Sequence, residues 1–82
     1  LIFKDLIMVE NINRERFVDL AQKRVNKTVN DIRLIGNLSN KTNYSYTEED
    51  VKKIYSALKT ALDEMKVKFE IKGSEEKEIF RL

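Results

Sequence analysis

The side chains that could do chemistry here are few and poorly placed for it. Four serines, Ser39, Ser45, Ser56 and Ser74, are potential nucleophiles, but the chain has no histidine to activate them. A lysine base is conceivable in principle, yet nothing in the sequence sets one lysine apart from the others. Glu48, Glu49 and Asp50 are three successive carboxylates, a residue type that ligates magnesium. On a helix, however, adjacent residues point in different directions, and such a trio makes a poor metal cage. Cysteine is absent, which rules out thiolate metal sites and disulfides. With only two glycines there is no glycine-rich phosphate loop. The expectation is a non-enzymatic protein with no catalytic residues, no metal and no cofactor.

Binding chemistry is better represented. Arg14, Arg16, Lys23, Arg24, Lys27, Arg33 and Lys41 fall in one stretch, where residues 11–46 hold seven basic and three acidic groups. Residues 47–82 hold eight basic and nine acidic groups, so the positive excess lies on the first half. Arg24, Lys27, Arg33 and Lys41 are the candidate basic face for nucleic acid, with Tyr44 and Tyr46 available to stack on bases. Against this, the net charge is only +2, which suits a mixed-charge helical surface better than a strongly basic binder. Residues 36–46 are also too long for the turn of a helix-turn-helix. A ribbon-helix-helix would need residues 1–9 as an alternating strand, and "LIFKDLIMV" is apolar on both faces.

Protein binding is the reading preferred. Asn37, Asn40, Lys41, Asn43, Tyr44 and Tyr46 bring amides, hydroxyls and rings into one polar loop, side chains suited to adaptable contacts. Tyr44 has no capping duty and is the first candidate contact. Glycosylation sequons at Asn26, Asn37, Asn40 and Asn43 fit an Asn- and Lys-rich composition of the kind AT-rich genomes encode, and carry no functional reading.

Two amphipathic helices must position this loop. From residue 14 to 35, Phe17, Val18, Ala21, Val25, Val29, Ile32 and Ile35 fall in an arc of about 120° at helical spacing. Asn13 is the expected N-cap, with Ile12 and Phe17 as a hydrophobic staple, and Gly36 the expected C-cap at positive φ, with Leu38 folding back on the helix end. From 48 to 72, Val51, Ile54, Tyr55, Leu58, Ala61, Leu62, Met65 and Phe69 form a second such arc. Thr47 is the expected N-cap, Asp50 its partner in a capping box, and Tyr46 faces Val51 as a staple. Glu48, Glu49 and Asp50 then sit at the positive end of the helix dipole, which explains them without a metal. Glu48–Lys52, Glu49–Lys53 and Glu64–Lys68 have acid-before-base spacing. Gly73 is the expected stop, with Ser74 capping a last short turn. Val67 and Ile71 point away from the main arc and suggest a further contact.

The fold class expected is therefore all-α: one small domain over residues 1–82, an antiparallel helical hairpin of about 14–35 and 48–72 with short terminal elements. Two helices leave wide apolar arcs half covered, so the hairpin is expected to dimerise into a helical bundle. Residues 1–9 are too few to span a bilayer and lack a signal-peptide cleavage site. The expectation is a cytoplasmic protein with no membrane partner. Met8 could be a start, which leaves residues 1–7 as a trimmed end, an alternative start or an added segment.

The string "KRVNKTVNDIRLIGNLSNKTNYSYTEEDVKKIYSAL" resembles a family of small uncharacterised helical proteins of low-GC Gram-positive bacteria, their prophages and mobile elements. The shared pattern falls here on Arg24, Asn26 and Lys27, on Gly36 to Asn40, and on Asn43, Tyr44, Tyr46 to Val51, Lys53 and Ile54. It covers about the middle half of the chain. The resemblance implies a helical fold and no assigned activity, and it centres on the loop. Together these readings lead to a phage or mobile-element regulator or inhibitor that occludes an unknown host protein. The alternative is a small nucleic-acid-binding accessory protein.

Overall fold

No proline occurs in the chain and no glycine precedes Gly36, so nothing in the first 35 residues compels a helix to stop. The computed structural model describes the backbone of residues 2–78 and the side chains of residues 8–72. It contains two α-helices and a short 3₁₀ turn: α1 over Ile2–Gly36, the turn over Asn37–Ser39 and α2 over Glu48–Glu78. The chain divides into two units, Leu1–Tyr44 and Ser45–Leu82, each described on its own. The all-α class is as expected, and among the described residues there is no strand.

In the first unit the start of α1 differs from the expectation. Asn13 is not an N-cap, because the helix runs through it from Ile2. A cap residue inside a helix loses only a fraction of a kcal/mol in propensity, roughly 0.7 at most. The residues before it are mostly helix-tolerant, so one asparagine does not end the helix. Ile12 is thus an interior residue rather than a staple, and residues 2–12 are part of α1 rather than a separate terminal segment.

The end of α1 also differs. Gly36 has φ −57° and ψ −31°, ordinary right-handed helix, and not the left-handed cap expected. Among the described residues none has positive φ. The chain instead tightens from α into 3₁₀ pitch over Asn37–Ser39, a common way to finish a helix. Leu38, expected to fold back, is 47% exposed.

In the second unit α2 starts where its capping chemistry requires. The Thr47 amide donates to Asp50 Oδ2 at 2.9 Å, and the Asp50 amide donates to Thr47 Oγ1 at 3.1 Å. This reciprocal capping box satisfies two otherwise orphaned donors. Glu48, Glu49 and Asp50 occupy the first turn, as read from the sequence. The helix does not stop at Gly73 but continues over it to Glu78, so Ser74 caps no separate turn. A glycine inside a helix costs about 1 kcal/mol relative to alanine, too little to break it when helix formers follow. The remaining tail, residues 79–82, lies outside the described residues.

Among the described residues none is buried. Val18, Ala21, Ile35 and Tyr46 are half-buried and the others exposed. Neither helix is long and apolar enough, over the described residues, to cross a membrane.

Candidate interaction surface

The loop after α1 is shaped by one asparagine. The Asn40 carbonyl accepts the Asn43 amide at 3.1 Å and the Tyr44 amide at 3.0 Å. Its side-chain Oδ1 accepts the Thr42 amide at 3.0 Å. Three backbone donors thus converge on one residue, an Asx turn nested on a main-chain turn. Asn40 therefore builds the loop, and its side-chain oxygen is engaged inside the chain. Asn37 belongs to the 3₁₀ turn, while Lys41 and Asn43 are exposed around it.

Tyr44 is held by its backbone and open at its ring. Its amide is tied to Asn40 while the residue stays 49% exposed. A ring on a fixed backbone loses little freedom on binding, which is what makes tyrosine effective at interfaces. Tyr46 lies in the second unit and is half-buried just ahead of the capping box.

The four basic candidates are not brought together. On a regular helix, nine positions at about 100° each put Arg33 on the opposite side of α1 from Arg24. Lys27 is committed to Asp31, with Nζ–Oδ2 at 2.9 Å. The Asp31 carboxylate, first by hydrogen bonding and then by charge, raises the Lys27 pKa above the ordinary lysine value. Lys41 lies in the loop and not on the helix. A second pair, Lys23–Asp19 at 3.0 Å, ties down another cation of α1. The ion pairs expected on α2, Glu48–Lys52, Glu49–Lys53 and Glu64–Lys68, are not among those formed by the described residues. Arg14 lies over the Phe17 ring at 5.8 Å and screens part of that apolar surface.

The intervals within each apolar stripe carry more information than its width. On α2, Val51, Tyr55, Leu58, Leu62, Met65 and Phe69 follow steps of four and three, a heptad seam. Every one of them is open, from Leu58 at 37% to Tyr55 at 68%. One residue after Val51, Leu58 and Met65 come Lys52, Lys59 and Lys66, so a single flank is lysine at every heptad. On α1, Val18, Ala21, Val25, Thr28, Ile32 and Ile35 alternate steps of three and four. Thr28 belongs to that seam because its hydroxyl is already used: Oγ1 donates to the Arg24 carbonyl at 2.7 Å. Counting apolar residues alone passes over Thr28, whereas measuring intervals would have found it.

No protein-family model matches the chain. No curated protein and no solved structure matches it either.

Outside the seam, Val67 and Ile71 are both about half exposed on α2. Val67 borders an open surface hollow with Thr60, Asp63, Glu64 and Lys68, all on one helix. Apolar surface on α2 is thus not confined to one stripe.

Proposed function

We propose that this chain is a non-catalytic module that binds another macromolecule, and that its target is a protein surface it covers. The observation that carries the reading is the open apolar seam of α2 and the partly open seam of α1, together with a loop that fixes the Tyr44 backbone and leaves the residue about half exposed. A regulator or inhibitor of a host protein, carried on a phage or mobile element, is the form this takes. Occlusion is the mechanism: the loop Asn37 to Tyr46 lies on a surface the target needs.

The working form is a homodimer of antiparallel hairpins. The two seams support this through their register. Laid antiparallel, Ala21 meets Leu62, Thr28 meets Tyr55 and Val25 meets Leu58, small against large in the first two layers. On one flank of that pairing, Glu15 meets Lys66 and Gln22 meets Lys59, so no like charges are opposed. A single hairpin covers only the inner edge of each arc, and a second copy covers the rest.

The test is capture from cells of a host bearing the gene, comparing the parent with Tyr44→Ala and titrating salt. Loss of capture by Tyr44→Ala, with an unchanged melt, supports the reading. Equal capture by both proteins would sink it. A protein interface weakens modestly with salt, whereas phosphate contacts weaken log-linearly and steeply. A steep slope would therefore move the function to nucleic acid, through Arg24, Lys27, Arg33 and Lys41.

A further inference from the structure

The seam of α1 also fits a reversed copy of itself. Set antiparallel, Val25 meets Thr28, Ala21 meets Ile32 and Val18 meets Ile35, and the remaining layers repeat these by symmetry. Thr28 fits such an apolar layer because its hydroxyl is satisfied by the Arg24 carbonyl at 2.7 Å. The residues just before Val25 and Ile32 are Arg24 and Asp31. In an antiparallel pair these two flanking positions lie between the same two layers, so Arg24 of one copy faces Asp31 of the other. Symmetry makes the contact twice.

Asp31 can serve both neighbours. Its Oδ2 accepts Lys27 at 2.9 Å, and a carboxylate has lone pairs for a further donor. The lysine flank of α2 offers no such match. Against its own reversed copy on that flank, Lys59 would meet Lys59 and Lys52 would meet Lys66. The Arg24 and Asp31 flank of α1 therefore carries charges that complement one another across a twofold axis, and the Gln22 flank is left to α2.

We infer that the α1 seam is an isologous docking surface for α1 of a second copy of this chain, antiparallel, centred between Asn26 and Lys27 and fastened by reciprocal Arg24–Asp31 pairs. The inference rests on the dimer proposed above and names the surface that makes it.

Charge reversal in the full chain tests it. Arg24→Asp makes both flanking positions acidic, and Asp31→Arg makes both basic. Each variant alone should self-associate about tenfold more weakly than the parent in sedimentation equilibrium. An equimolar mixture should recover parental association, because an acidic flank then faces a basic one at both contacts. Recovery is read equally well if either variant alone loses helicity by circular dichroism. Asp31→Asn, which removes charge without reversing it, should give an intermediate weakening. If both reversed variants associate like the parent, or the mixture does not recover, this surface is wrong while the dimer stands. A monomeric parent overturns the dimer and the surface together.

Discussion

At the scale of the residue, the polar groups of the loop and helix start have structural work that their types announce. Thr47 and Asp50 exchange hydrogen bonds at 3.1 and 2.9 Å, and both were legible because the motif needs only three-residue spacing. Thr47→Ala should therefore cost about 1 kcal/mol in urea unfolding. Gly36 was misread for a physical reason: glycine permits positive φ but does not require it. At φ −57°, with nothing within 4 Å of an added Cβ, Gly36→Ala should stabilise the chain by about 0.5–1 kcal/mol. A true left-handed cap would instead lose stability on that change. The Lys27–Asp31 pair gives a pH signature. The Lys27 pKa is raised in the folded chain by Asp31. Its contribution is complete below the unfolded lysine value and fades as pH rises through the folded one. Stability lost between about pH 9 and pH 11.5 should be smaller in Asp31→Asn than in the parent, as read by urea midpoints at both pH values.

At the scale of the element, helix type was readable, as was the start of α2 at Glu48, while the start of α1 and the end of α2 were not. Apolar periodicity spans many residues and survives local exceptions, which is why both helices were found. Ends depend on single residues, and neither Asn13 nor Gly73 outweighs its helix-forming neighbours. The same distinction separates the seam from the rest of α2. Leu62 lies on the heptad, while Val67 lies off it, and both are exposed at present, by 61% and 47%. If the seam closes against another helix, Leu62→Asp should destabilise by about 2 kcal/mol or more, through a buried unpaired charge. Val67→Asp should stay within about 0.5 kcal/mol. Thermal melts of the two variants side by side decide it, and equal effects would remove the distinction between seam and surface.

At the scale of the whole molecule, the governing fact is that no described residue is buried. Apolar burial supplies most of the drive to fold, and an 82-residue chain has little to spare. The sequence made the shortage visible through two arcs too wide for two helices. Net charge alone is silent on which flank would meet a neighbour, because that depends on charge positions relative to the seam and not on their number. If association completes the fold, the melting temperature should rise with protein concentration. Calorimetry over a hundredfold dilution checks this, and a constant midpoint would mean that one chain closes its own layers. The open seams then bear on lifetime in the cell. A solitary chain offers accessible backbone to proteases, whereas an associated one withholds it. If the chain self-associates, turnover would slow as the protein accumulates, and a small rise in synthesis would give a steep rise in abundance.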